Sequence, residues 1–243
     1  MPDFSSRPPE HIHPALWRGS QLARPLHPVV STGFDALDRE LPGRGWPLGS
    51  LIEFLPSRAG IGEIHLLRPA LAHLPPERSV ILVHPPYEPH FHCWADWRLQ
   101  ARRLVWIKPR TQGDTLWAAE QILKHNACAA LLCWADAPQP AGLRRLHLAA
   151  RQSDALFVLL RPLTQAAQAS AAPLRLQLMP IAQGIQAFIL KRRGPACDKP
   201  ISLALHPARS AAPLPEHHEQ PAPLVQPAPA HAQPGRSLSA LAG

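Results

Sequence analysis

The sequence lacks several features that would place it in a common class. No stretch reaches the roughly 18 apolar residues of a membrane-spanning helix, because prolines and charges interrupt every run. The N-terminus has no apolar signal-peptide core, and the four cysteines form no CxxC pair. We therefore expect a reduced, cytoplasmic protein without membrane contact. No internal repeat of about 20 to 50 residues is visible either.

Glycine is slightly scarce at 13 residues, whereas proline is abundant at 31 of 243, against about 5% in ordinary chains. Proline avoids helix and strand interiors, so the excess predicts segments outside the folded core. We expect an arm over residues 1–30 with one short docking element, a core domain over 31–205, and a disordered tail over 206–243. The tail is rich in proline and alanine and has no apolar periodicity.

Basic residues exceed acidic ones by 25 − 17 = +8. This imbalance favours polyanions or acidic protein surfaces as partners, without choosing between them. At 46% hydrophobic residues, the chain has enough apolar side chains for one sizeable core.

Five short apolar runs recur along residues 51–160, with helical patterns between them. This alternation is typical of an α/β fold with a mostly parallel sheet flanked by helices. The predicted strands are 51–55, 79–84, 104–107, 129–134 and 155–160. The predicted helices are 63–74, 91–102, 112–126 and 142–152, with a shorter helical piece at 36–40.

After residue 172 the pattern changes to strands with short connections, at 174–179, 184–190 and 201–205. These spacings favour an antiparallel extension of the sheet. Thr111 followed by Asp114 resembles a capping box that opens the helix at 112–126. Pro69 removes a backbone donor inside the helix at 63–74, so that helix is expected to start late or to kink.

The loop after the first core strand has the position of an NTPase phosphate loop, G-x-x-x-x-G-K-[ST]. The chain reads LPSRAGIGE over residues 55–63. Only the second glycine of the motif survives, as Gly60, while Ile61 and Gly62 replace the lysine and the magnesium-binding hydroxyl. Glu63 adds a negative charge near the helix start. We therefore expect a degenerate phosphate loop with no ATPase activity, no catalytic residue and no bound cofactor.

Two other candidate sites have weaker support. Asp136 lies two residues beyond the strand end at Trp134, where a Walker B aspartate would stand, and a turn role before Pro138 is favoured instead. The histidine-rich segment 84–93 holds metal-type ligands, but its spacing matches no zinc signature. We expect no metal site.

Seven tryptophans in a basic chain raise the question of base stacking. Most are expected to pack, because they lie in or beside predicted core elements; these are Trp94, Trp97, Trp106, Trp117 and Trp134. The run 191–193, a strand end, is either a solvated edge or a phosphate or protein contact. The candidate protein-interaction residues are Lys191, Arg193, Trp17 and Trp46.

The order of elements, with Thr32-Gly33, Leu37-Asp38 and the segment 45–53, resembles the start of the RecA recombinase core over residues 31–205. Several pieces more closely resemble the ImuA family of translesion-synthesis-associated proteins. They are WRGS at 17–20, ELPG at 40–43, GWP at 45–47, GIGE at 60–63, LWAAEQ at 116–121 and LRRLHLAA at 143–150. The implied fold is a RecA-like α/β domain.

Resemblance to ImuA implies a damage-induced accessory protein of the SOS response. It would act in error-prone translesion synthesis with ImuB, a polymerase-like protein without polymerase activity, and with an error-prone replicative-type DNA polymerase. RecA is a further implied partner, because Lys191 and Arg193 match two lysines that in RecA reach a neighbouring subunit's ATP phosphates. The connections that form RecA's DNA-binding loops are short here, so DNA binding in RecA's manner is not expected and other direct DNA contact stays open.

Two rival functions remain. SulA, a bacterial cell-division inhibitor, shares the degenerate loop and the general layout, and its partner would be FtsZ. A DNA-stimulated ATPase is the other alternative.

Overall fold

The structure, a computed structural model, describes residues 28–89, 94, 100 and 103–205. The predicted docking element with Trp17, the predicted tail and nearly all of the predicted helix at 91–102 lie outside the described residues. Within the described part of the chain, no helix is long and apolar enough to cross a membrane.

The secondary structure alternates strands and helices as far as residue 160 and then consists mainly of strands. In chain order the described elements are β1 (Val29–Val30), α1 (Asp35–Glu40), β2 (Trp46–Pro47), β3 (Ser50–Pro56), α2 (Glu63–His73), β4 (Val80–Val83), β5 (Leu104–Ile107), α3 (Gln112–Lys124), β6 (Ala130–Trp134), α4 (Pro140–Ala150), β7 (Leu156–Leu160), a 3₁₀ turn (Leu163–Gln165), β8 (Leu174–Ile181), β9 (Gly184–Lys191) and β10 (Ile201–Ala204).

Eight strands form one sheet in the order β10-β9-β8-β3-β7-β6-β4-β5. All neighbours from β8 to β5 run parallel. The predicted α/β fold with a mostly parallel sheet is confirmed, and each of the five predicted strands is present within two residues of its expected ends. The central strands are buried along their whole length because helices cover both faces.

The predicted antiparallel extension is present, and its antiparallel part begins at β9. β8 runs parallel to β3, whereas β9 and β10 run antiparallel to their neighbours. β8 and β9 are joined by the two residues 182–183, which is the short connection that an antiparallel pair allows and a parallel pair does not.

Alternate residues of β3 face two separate apolar clusters, as the two-residue period of a strand requires. Ile52 and Phe54 belong to the cluster that also holds side chains of α1 and α2. Leu51 belongs to the cluster that holds side chains of α3 and α4. The sheet is therefore the middle layer of three.

The predicted start of α3 is confirmed. Thr111 is its N-cap, and its hydroxyl oxygen accepts a hydrogen bond from the backbone N–H of Asp114 at 3.1 Å. The same hydroxyl donates to the Asp114 carboxylate at 2.8 Å. The hydroxyl thus satisfies one of the backbone N–H groups that the first turn of a helix leaves without an intrahelical partner, and the Asp114 carboxylate orients that hydroxyl.

α2 begins at Glu63, so the expectation that it starts late is wrong. Pro69 lies inside the helix and packs closely against Gly33. A Cβ placed on Gly33 would lie 2.3 Å from the Pro69 Cβ, and Gly33 also has a left-handed φ of 81°. Pro69 cannot donate the helix hydrogen bond of its position, and its ring packs instead against Gly33 in the turn before α1.

Two tryptophan predictions are wrong in opposite directions. Trp46 is fully buried, and its ring centroid lies 5.4 Å from that of Phe54, so it is a core residue and not a surface contact. The turn-rich segment around it folds into the β1–β2 pair, which carries the indole into the cluster of α1 and α2. Trp117, expected to pack, is 62% exposed on α3. Trp94 and Trp134 are buried as expected.

A buried ionic network joins three central strands. Both oxygens of Glu53 on β3 are bound, one by Arg161 at the end of β7 and the other by Arg175 on β8. All three side chains are almost fully excluded from solvent. Gln165 in the 3₁₀ turn completes the network, because its side chain accepts from Arg161 at 3.0 Å and its backbone carbonyl accepts from Arg175 at 3.1 Å.

The first prediction concerns this network. Glu53→Gln removes the only charge that compensates two buried guanidinium groups, and breaking such a buried pair costs about 3 to 5 kcal/mol. We expect the free energy of unfolding, measured by urea titration, to fall by that amount. The control is Glu77→Gln, which neutralises an exposed carboxylate and should change little. Equal stabilities of the two variants would contradict the assignment.

Candidate functional site

The degenerate loop occupies residues 57–62 between β3 and α2, at the carboxyl edge of the parallel strands. In open α/β sheets this edge is where ligands bind. Gly60 and Gly62 have left-handed φ values of 79° and 109°. A Cβ on Gly62 would also lie 2.6 Å from the Leu205 side chain. Glycine is therefore favoured at 62 on two counts, and the hydroxyl residue of a phosphate loop would be strained there.

The carboxylate of Glu63 lies inside this loop. The backbone N–H of Gly60 donates to one Glu63 oxygen at 2.8 Å, and the N–H of Gly62 donates to the other at 3.1 Å. Glu63 is only 3% exposed. In a phosphate-binding loop, amides of this kind would point at the phosphates. Here the chain supplies its own anion to them.

This arrangement disfavours the binding of nucleotide phosphates more strongly than the sequence alone predicts. Glu63 was predicted to repel phosphate from near the helix start, but the structure shows that it also takes up two loop amides. A phosphate would have to displace a buried, hydrogen-bonded carboxylate or accept its negative charge at close range. The pattern GIGE at 60–63 contains the signal, since a glutamate directly after the loop can fold back onto the amides before it.

The remaining loop side chains do not replace the missing lysine. Ile61, at the lysine position, packs against the cluster of α1 and α2. Arg58 is the loop's cation, and it lies exposed two residues before Gly60. It lies in the first half of the loop and not next to the helix start, where the lysine of a phosphate loop would stand.

The loop forms one wall of a cavity of about 510 Å³. Segment 85–89 after β4, Trp134 at the end of β6 and the turn between β8 and β9 form other walls. The lining is mainly apolar, and its charged side chains are Glu63, Glu88 and Arg58, with His65 beside them. A site for a triphosphate needs several cations and metal ligands, and one arginine facing two carboxylates does not supply them, so this lining suits apolar groups better.

The end of β6 lacks the geometry of a magnesium site. Trp134 is buried at the strand end, and Asp136 is exposed in the bend that follows. The described residues contain no group of three or more His, Cys, Asp or Glu side chains that could hold a metal ion. His84 is exposed, while the other histidines and Cys93 of the segment 84–93 lie outside the described residues.

Two buried thiols are poor nucleophiles. Burial raises the pKa of both Cys128 and Cys133 to about 12. The thiolate is the reactive form of cysteine, so these two side chains act as small apolar core residues at neutral pH.

The basic run at the end of β9 divides into one structural and two exposed side chains. Arg192 binds the Glu40 carboxylate at 2.9 Å and the Glu40 backbone carbonyl, and this hydrogen bond lowers the pKa of Glu40. Lys191 is exposed and donates to the Ser170 carbonyl at 2.9 Å. Arg193 is exposed and has no polar partner among the described residues. The two predicted interaction residues are therefore accessible.

The phosphate-type loop and this basic strand end lie at opposite edges of the sheet. Lys191 pairs with Arg175 near the start of β8, whereas Leu178 of β8 bonds to Ser57 at the loop. Since β8 is parallel to β3, the start of β8 is the edge away from the loop. The structure thus does not bring Lys191 and Arg193 together with Glu63.

Comparison with known proteins shows structural likeness but no family. No protein-family model matches the chain, and no curated protein matches it. Among solved structures the chain is similar to SulA from Pseudomonas aeruginosa, with 20% sequence identity and a TM-score of 0.39. The match covers 46% of this chain and 97% of that one.

The second prediction tests the carboxylate in the loop. Glu63→Ala removes two hydrogen bonds to a charged acceptor, each worth about 1.5 to 3 kcal/mol, and because Gly60 is exposed and Gly62 half-buried, water replaces part of that loss, so the cost is about 1 to 2 kcal/mol. We expect that loss of stability in urea titration, together with faster hydrogen exchange of residues 57–62. Glu88→Ala, which removes an exposed carboxylate from the same cavity, is the control. Unchanged exchange in the Glu63→Ala protein would show that the carboxylate does not hold the loop.

Proposed function

We propose that this protein is a catalytically silent, RecA-like accessory protein of SOS-induced, error-prone translesion DNA synthesis. It acts through protein contacts. The proposed lack of ATPase activity rests on one observation. The Glu63 carboxylate binds the loop amides of Gly60 and Gly62, and positions 61 and 62 hold no lysine or hydroxyl. A domain with this layout and a self-occupied loop suits an adaptor better than a motor.

The partners follow from the resemblance of the sequence pieces to the ImuA family. They are ImuB, an error-prone replicative-type DNA polymerase and RecA. Two of the pieces, at 116–121 and 143–150, lie on the neighbouring helices α3 and α4 and include exposed side chains. Exposed positions within such signatures favour a role in contacts over a role in packing alone.

The connections in the sheet support a protein role over DNA binding in RecA's manner. Residues 135–139 are all that joins β6 to α4. The longer connection from β7 to β8 is tied down, because Arg161 and Gln165 belong to the buried network. Neither connection is a long free loop.

The accessible pair Lys191 and Arg193 supports a RecA contact at one face. Cations that bind a partner's phosphates must be accessible, and both of these side chains are exposed; Lys191 would exchange its hydrogen bond to the Ser170 carbonyl for the phosphate. They lie at the sheet edge away from the chain's own loop. A subunit of this kind would meet the nucleotide of a RecA neighbour through one edge and offer no nucleotide at the other, so it would cap a filament rather than extend it.

The third prediction separates the proposed function from its main rival. Affinity-tagged protein purified from DNA-damaged cells should bring down ImuB and the error-prone polymerase. A SulA-like division inhibitor would bring down FtsZ instead. Recovery of FtsZ without ImuB or the polymerase would overturn the proposed function, and undamaged cells serve as the control.

The fourth prediction concerns the basic strand end. The double change Lys191→Glu, Arg193→Glu should abolish binding to ATP-loaded RecA, while the circular dichroism spectrum and ImuB binding stay intact. The matched control is Lys108→Glu, Arg110→Glu, which reverses two exposed charges at the same spacing elsewhere. RecA binding that survives the change at 191 and 193 would exclude this face.

A further inference from the structure

Two large apolar side chains are exposed on neighbouring helices, on the side of the sheet away from the cavity. Trp117 on α3 is 62% exposed, and Leu148 on α4 is 58% exposed. Single exposed apolar residues are common, but an exposed tryptophan is a frequent anchor of protein interfaces. We call the outer surface of these two helices the α3–α4 face.

The two helices are packed closely enough to act as one surface. A Cβ on Gly142 of α4 would lie 3.2 Å from the Leu116 side chain of α3, so glycine allows the close approach. Across the seam, Glu120 of α3 pairs with Arg145 of α4 at 3.5 Å, and within α3 it pairs with Lys124 at 2.7 Å. The two helices therefore present one continuous surface, on which the charge of Glu120 is neutralised.

The exposed charge of the α3–α4 face is positive. α4 has no acidic residue, and Arg144, Arg145 and Arg151 are all exposed. Arg144, Leu148 and Arg151 follow each other at helical spacing, which places an apolar side chain between two cations along one stripe. The side chains of Arg144 and Arg151 have no ion-pair partner among the described residues.

We propose that the α3–α4 face docks an acidic amphipathic helix of a partner protein. This inference rests on the proposed function in that it names the chemistry of one adaptor contact. A third helix can pack its ridges into the groove between two helices, with leucine-type side chains reaching Trp117 and Leu148. Glutamates or aspartates flanking that apolar stripe would pair with Arg144 and Arg151. This charge complementarity is the reason for proposing a negatively charged partner helix.

A protein helix fits this face better than single-stranded nucleic acid does. Stacking surfaces for bases use several aromatic side chains along a groove, whereas the helices here expose one, Trp117. Leu148, between two of the cations, gains from an apolar contact and not from a phosphate.

The experiment uses the full chain and three fluorescein-labelled designed peptides. One has a leucine stripe flanked by glutamates, the second has lysines in place of the glutamates, and the third is a scramble of the first. We expect saturable anisotropy binding of the acidic peptide only. Arg144→Glu, Arg151→Glu should weaken it about tenfold or more, as should Trp117→Ala. Arg39→Glu, Arg44→Glu, which reverses two exposed charges at and just after α1, is the matched control and should leave it unchanged.

Several outcomes would overturn the proposal. These are absence of acidic-peptide binding, equal binding of the scramble, insensitivity to Trp117→Ala, or preference for labelled oligo(dT) over the peptide. Because the variants change exposed side chains, an unaltered thermal unfolding midpoint shows that each is folded. If ImuB co-purifies from damaged cells while the peptide fails, this surface is wrong and the proposed function stands. If the peptide binds and neither ImuB nor the polymerase co-purifies, the proposed function fails and the surface stands.

Discussion

A single buried carboxylate connects the two halves of this sheet. Glu53 lies on β3, and its two oxygens hold an arginine from each neighbouring strand, Arg161 after β7 and Arg175 on β8. β3 is also where the parallel half of the sheet meets the strands that lead to the antiparallel extension. Two buried cations around one anion permit one register, because a shift of either strand would leave a charge unpaired in the core.

The candidate site depends on that order. β3 runs directly from Glu53 into the loop at 57–62, whose start is bonded to β8 through Ser57 and Leu178. The loop then closes on its own carboxylate, Glu63. Glu53 and Glu63, ten residues apart, therefore have similar roles, because each places a buried negative charge among hydrogen-bond donors of the same chain. The second one occupies the loop amides that in a RecA-like motor would face the phosphates.

Those surfaces lie apart from one another. The exposed cations at the end of β9 are at the sheet edge away from the loop, and the α3–α4 face covers one side of the sheet. Both regions are exposed. The proposed adaptor role would need separate surfaces of this kind, each with its own chemistry.

The sequence by itself determined the strands and most helix ends, because buried parallel strands appear as short continuous apolar runs and caps such as Thr111 are local. It also determined that Ile61 and Gly62 cannot do the work of a lysine and a hydroxyl. Only the tertiary structure decided that Trp46 is buried and Trp117 exposed, since both lie in segments where local pattern is ambiguous. It alone decided that Arg161 and Arg175 meet on Glu53, as their separations of 108 and 122 residues carry no local signal. The tertiary structure also decided the orientation of the Glu63 carboxylate. A carboxylate at a helix start can face solvent or fold inward, and here the left-handed glycines at 60 and 62 turn the loop amides toward it.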